Sequence, residues 1–194
     1  MPDKKILLIL GHPDGDSFCG ALADAYQSAA NDAGHELRRI DLGKLNFDPI
    51  LYKGYKEIQE LEPDLVKAQE DIIWSDHLVF VYPTWWATIP ALLKGFIDRV
   101  FLPGFAFKYH ENDPWWDKLL AGRSARLITT MDAPLIYFRL AYFSPGTNAM
   151  KRATLKFSGI KPVGVTAFGQ VKDSDESKRA KWIGKIADLG RRGV

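Results

Sequence analysis

Cysteine is nearly missing from this chain. Cys19 stands alone among 194 residues, so no internal disulfide can form and an oxidising, secreted setting gains no support. An excess of one charge is missing too: 26 basic residues face 24 acidic ones, a net charge of +2. A nucleic-acid surface needs a concentrated basic patch. The gathering of Lys178, Arg179, Lys181, Lys185, Arg191 and Arg192 reads as a solvated helix face and tail. No unbroken apolar run reaches membrane length: residues 78–97 come near it, but Pro83 and Pro90 interrupt them and Lys94 is charged. After Lys4 and Lys5, "ILLIL" is too short for a signal sequence, and no small-residue cleavage site follows. These absences predict a cytoplasmic chain with no nucleic-acid partner and no membrane insertion. Neither GxGxxG nor GxxxxGKS occurs, which removes the dinucleotide and nucleoside-triphosphate fingerprints. His12, His35, His77 and His110 are widely separated, without HxxxH or HExxH spacing, so no metal site is expected.

What is present is a strict alternation. "KKILLIL" (4–10) is a continuous apolar run, as a strand covered on both faces requires. Ser17 opens a helix with Phe18, Leu22, Ala25 and Ala29 at helical spacing, and Gly34 stops it. "HELRRIDL" reads as an edge strand, and residues 43–62 as irregular. A helix over 63–75 starts at Pro63, near the favoured first-turn position. A strand over 77–82 follows, then a helix capped by Thr88. Residues 102–116 form a turn-rich excursion, 124–130 a strand, and 131–147 an irregular, aromatic-rich stretch. A helix over 148–157, a strand in "KPVGVTAFG" and a helix marked by Trp182, Ile183, Ile186 and Leu189 complete the chain. Five strands alternating with helices predict a doubly wound α/β fold, a five-stranded parallel sheet with helices on both faces. No linker or repeat divides it, so residues 1–194 are expected to form one domain.

Open parallel sheets bind ligands outside the carboxyl ends of their strands, where the strand order reverses. With five strands the first and third meet there, which singles out three loops. The first, "GHPDGDSF", leads into a helix N-terminus whose free amides attract an anion, with Ser17 able to add a hydroxyl and His12 nearby. The same residues also suit a plain helix cap at Ser17. The second holds Pro83, Thr84, Trp85 and Trp86, where adjacent indoles leave the backbone in different directions and suit a wall for a flat ring system. The third begins at Thr129 and Thr130, whose hydroxyls and amides can meet a heteroaromatic edge, with Tyr137 following. Together they predict a pocket for a flat, phosphate-bearing cofactor.

At "ILLILGHPDGDSF", "LNFDPI", "PTWWATIPALLKGFIDRVF", "GFAFKY" and "LITT" the chain resembles the flavodoxin-like NAD(P)H:quinone oxidoreductases, and the similarity runs over nearly its whole length. The resemblance implies a flavin-containing homodimer that passes a hydride from NAD(P)H to a quinone. Carried over by position, His12, Ser17, Phe18 and Cys19 fall where the family grips the flavin phosphates. Pro83, Thr84, Trp85 and Trp86 fall along the ring system, and Thr129 and Thr130 at its polar edge. Three departures stand out. Cys19 takes a position that is commonly asparagine. Met131 and Asp132 replace two glycines beside the flavin, where bulkier residues are expected to narrow the pocket. Tyr137 matches a family tyrosine, but the catalytic histidine six residues later falls at Phe143, which cannot move a proton. Tyr137 is therefore the expected catalytic donor at the flavin edge. Two other readings accompany this one. An accessory regulatory flavoprotein of a potassium-efflux system is one, since relatives serve such a role. A flavodoxin-type electron carrier is the other, which the net charge of +2 opposes, because such carriers are strongly acidic. The loop residues serve FMN or FAD alike, and NADH or NADPH alike.

Overall fold

Five parallel strands form the central sheet of the computed structural model, which describes residues 3–194. They are β1 (Lys5–Leu10), β2 (Glu36–Asp41), β3 (His77–Pro83), β6 (Ser124–Thr130) and β7 (Val163–Phe168), in the spatial order β2-β1-β3-β6-β7. Two short strands, β4 (Phe107–Tyr109) and β5 (Trp116–Lys118), pair as a separate antiparallel hairpin. β1 and β3 are neighbours, so the order reverses between them, and their carboxyl ends bring the first and second loops together. β2, at the edge, alternates exposed and half-buried residues with only Ile40 fully inside, whereas β3 is buried throughout.

Period-two alternation divides the apolar side chains between two cores. Leu7, Ile9, Phe80, Tyr82 and Leu127 pack with α2 (Pro63–Trp74) and α3 (Ala91–Val100). Ile6, Leu8, Val79, Val81 and Ile128 pack with α1 (Phe18–Asp32) and α6 (Glu176–Arg191). α1 and α6 approach closely because Gly190 lacks a side chain: a Cβ there would lie 2.3 Å from the Tyr26 carbonyl oxygen. Residues 43–62 cross the α3 side as a strap. Fully buried Arg99 donates to the carbonyls of Asp48 and Glu60 and to the Glu62 carboxylate, and Pro49 lies against Gly95.

Three local expectations are corrected. Thr88 does not cap α3; Pro90 occupies the N-cap position, and Thr88 closes a turn with Trp85 instead. The excursion holds the β4–β5 hairpin, in which Trp116 stacks on Phe157 at 4.3 Å and donates from Nε1 to the Phe157 carbonyl. The aromatic stretch holds α4 (Leu135–Leu140) and α5 (Pro145–Asn148), and the helix after it (Ala149–Lys156) is wound as a π-helix. Six- and four-residue helices span too few turns for a 3.6-residue period to show. Among the described residues no helix is long and apolar enough to cross a membrane.

Candidate active site

The first loop ends at α1, where Ser17 is the N-cap and its Oγ accepts from the Gly20 amide at 3.2 Å. The helix-cap reading is therefore realised, yet it leaves the hydroxyl proton free. Among the described residues the amides of Ser17, Phe18 and Cys19 have no acceptor, so the first turn presents donors and the positive end of the helix dipole. The Phe18 and Cys19 side chains turn inward. The Phe18 ring packs on Trp182 at 6.0 Å, and Cys19 Sγ lies 3.2 Å from Thr130 Oγ1. Burial pushes the Cys19 thiol up to about 11, opposed in part by that contact, so it is an inert packing group. What these two residues offer a ligand is backbone. Arg179, which the sequence placed on a solvated face, reaches the Phe18 ring at 5.7 Å while donating to Ser174 Oγ and the Val171 carbonyl. It brings a cation to the same corner. Only the α1–α6 contact puts it there, and local pattern carries no sign of that.

The second loop is a two-residue turn. Trp85 and Thr88 exchange both backbone hydrogen bonds, at 3.0 and 2.9 Å, while Trp86 and Ala87 sit at φ of 50° and 59°. Such a turn favours Asn-Gly; tryptophan and alanine there hold strain of about 1–3 kcal/mol each. The result splits the indoles. Trp85 leans into the site at 44% exposure, edge-on to His12 at 5.6 Å, and Trp86 stands at the outer lip at 97%. His12 Nδ1 accepts from the Asp14 amide, which places the neutral ring's proton on Nε2, free to donate.

The third loop is tied to its neighbours on both sides. The Thr84 amide donates to the Thr130 carbonyl at 2.7 Å, and the Met131 amide to the Phe168 carbonyl at 2.9 Å. Asp132 accepts from the Lys172 amide at 3.0 Å. Met131 and Asp132 thus line a cleft rather than block it. Its volume is about 310 Å³, with Thr84, Trp85, Trp86, Ala87, Ala133, Phe138 and Tyr142 as the other walls. That lies at the lower end of small-molecule cofactor sites, roughly 300–1,000 Å³. Pro83 is buried at the end of β3, below the loop. Thr129 is buried too, its Oγ1 without a partner, and so is the Tyr82 hydroxyl opposite it in the ladder. An unsatisfied buried hydroxyl costs about 1–3 kcal/mol, and its presence under the cleft fits a polar ligand edge above it.

Tyr137 is half-exposed and does not line the cleft; Tyr142 does. The two rings meet edge to face at 5.3 Å, and the Tyr142 phenol is pushed up by its hydrogen bond to Tyr137. Phe143 stands exposed at φ 56° and does not line the cleft. Tyr142 was legible only as one of several clustered aromatics. Among the described residues no three His, Cys, Asp or Glu side chains gather to hold a metal ion.

Of the residues singled out in the sequence, Thr84, Trp85, Trp86, Met131 and Asp132 line the cleft; His12, Ser17, Phe18, Cys19, Pro83, Thr129 and Thr130 do not, although His12 meets Trp85 and Thr130 is bonded to the Thr84 amide. Free helix-turn donors beside an aromatic wall fit a flavin. Comparison with known proteins agrees. A family described as flavodoxin-like fold matches residues 4–189. The ribosyldihydronicotinamide dehydrogenase (quinone) of Rattus norvegicus is 25% identical over 224 aligned positions, covering 97% of this chain and 93% of its own. A ribosyldihydronicotinamide dehydrogenase-like protein of Penicillium crustosum is 30% identical over 152 positions, 66% of this chain; the chain spans 57% of that protein's length. A crystal structure of a Streptococcus mutans protein superposes with a TM-score of 0.83 at 30% identity, covering 96% of this chain and 98% of that one.

Proposed function

Because this chain belongs to the flavodoxin-like fold family, we propose that it is a flavin-dependent NAD(P)H:quinone oxidoreductase acting as one domain in the cytoplasm. The observation that carries this reading is the rim itself. The Thr84–Thr130 bond and the His12–Trp85 contact bring an aromatic wall, a threonine edge and free first-turn amides around one cleft. The name of the rat relative, a quinone dehydrogenase, points the same way. A bound flavin, FMN or FAD, would supply two-electron chemistry between NAD(P)H and a quinone or similar acceptor.

The chain's own residues do the rest. The amides of Ser17, Phe18 and Cys19, with Arg179 nearby, hold the phosphate. Trp85 covers one face of the ring system and excludes water, and the Thr129–Thr130 backbone meets its polar edge. Tyr142, bonded to Tyr137, holds a proton beside the edge where negative charge develops.

Purified protein should be yellow and should oxidise NAD(P)H steadily when a quinone is supplied; a carrier or a purely regulatory subunit would not. Ser17→Asp puts a carboxylate against the phosphate and should strip most of the flavin, measured as absorbance per protein after gel filtration. Unchanged occupancy would remove Ser17 from the phosphate site.

We further propose a homodimer, supported by the apolar lip at Trp86, Ile136, Leu140 and Phe143 around the cleft mouth. Phe107 and Trp116 lie outside that lip and are packed against Phe157. Light scattering at micromolar concentration should give twice the chain mass; a flavin-bound monomer would end this part of the reading.

A further inference from the structure

We infer that the dinucleotide taken at the cleft is the 2′-phosphorylated one, NADPH, and that Arg139 and Lys172 receive its 2′-phosphate. This rests on the reductase reading above and names the co-substrate of that site. The near-neutral composition conceals a segregation. Residues 133–172 contain six lysines and arginines and no aspartate or glutamate, so the rest of the chain is net acidic.

The fold places the two ends of the acid-free stretch beside the cleft, while Lys156 and Lys161 lie toward the amino end of β7. Arg139 follows Phe138, a wall residue, on α4 and is exposed. The Lys172 amide is held by the carboxylate of Asp132, another wall residue. Lys151 and Arg152 lie on the π-helix that follows α5, whose Gly146 amide donates to the carbonyl of Ala87 at the cleft lip. Among the described residues none of these four cations is ion-paired. The opposite side carries exposed Asp14 and Asp16 on the first loop. With the first-turn amides given to the flavin phosphate and Asp14 and Asp16 exposed beside them, a polyanion whose nicotinamide enters the cleft is drawn to the α4 side.

The extra phosphate of NADPH adds about −1.5 to −2 charges at neutral pH, so unpaired cations discriminate it from NADH. Arginine adds two parallel donors to the charge. Asp132 is the acid among the residues that line the cleft, and its carboxylate is engaged by the Lys172 amide; exposed Asp173 follows Lys172 in the chain.

The test compares kcat/KM for NADPH and NADH in the parent and in Arg139→Gln/Lys172→Gln. Calorimetry with the redox-inert 2′-phospho-ADP-ribose and ADP-ribose runs beside it. The parent should favour the 2′-phosphorylated form about tenfold or more in both measurements, and rising salt should erode the preference. The double variant should bring both ratios near one while keeping NADH turnover, which also shows that it folds. Equal use of both nucleotides by the parent, or an unchanged ratio in the variant, overturns the assignment. Anionic phosphatidylserine vesicles provide a third arm. If the variant loses vesicle binding while its nucleotide ratio stays put, the basic wall serves a membrane surface and the inference is wrong. A protein that turns over neither nucleotide fails the reductase reading, whereas the two inert analogues still decide this one by binding.

Discussion

In the proposed reductase, Tyr142 shares with Tyr137 the task that sequence position gave to Tyr137 alone. One phenol lines the cleft, and the other meets it edge to face at 5.3 Å. A single donor lost from a developing charge costs about 1.5–3 kcal/mol, or roughly tenfold or more in rate. Tyr142→Phe should therefore slow stopped-flow reduction of the bound flavin by at least that factor. Tyr137→Phe, acting through its partner, should slow it less and should shift the pH dependence, since the phenol that raises Tyr142 is gone. Equal rates in the parent and both variants would reduce the pair to packing. The limit of sequence reading is visible in these residues. Ser17 and Trp85 stand where strand-end logic put them. Position alone could not say that Phe18 and Cys19 turn inward, because that follows from α6 covering α1, a contact between chain segments more than 150 residues apart.

At the scale of elements, the turn after β3 is the most informative piece. Trp86 and Ala87 occupy left-handed backbone that glycine adopts without penalty. Ala87→Gly should raise stability by roughly 0.5–1 kcal/mol, a Tm gain of about 1–4 °C by calorimetry, if the turn keeps its shape. A lower Tm would mean that alanine's smaller unfolded-state entropy outweighs the strain. The five strands and their order were legible because buried parallel strands are continuous apolar runs bounded by turns. The β4–β5 hairpin and α4 were not, since three-residue strands and a six-residue helix carry no period of their own and are held by Phe157 and the cleft wall. The π-helix was legible as helix but not as π, because the wider turn depends on packing around Met150 and Leu155.

For the whole molecule, His77 sets the behaviour in acid. It lies buried at the amino end of β3, Nδ1 2.7 Å from Ser124 Oγ, and burial pushes it down to about 3, helped by Lys4, Arg126 and His35. The folded chain keeps this ring neutral while the unfolded chain protonates it below 6.5, so the unfolded state binds more protons and stability falls as pH falls between 6.5 and about 3. The slope contributed is up to about 1.4 kcal/mol per pH unit. Urea midpoints from about pH 7 to about pH 4 should drop faster in the parent than in His77→Gln; parallel curves would show that other groups govern acid unfolding. A different consequence follows from Arg99. One guanidinium ties Asp48, within the strap, to Glu60 and Glu62 at its end. The dozen or so residues between are a loop whose ends are already joined, as though by a rivet. Closing such a loop costs only about 0.6 kcal/mol more for each doubling of its length. Foreign segments inserted near Gly54 should therefore leave the sheet and cleft standing, which makes this the natural place to graft a new binding sequence onto the scaffold.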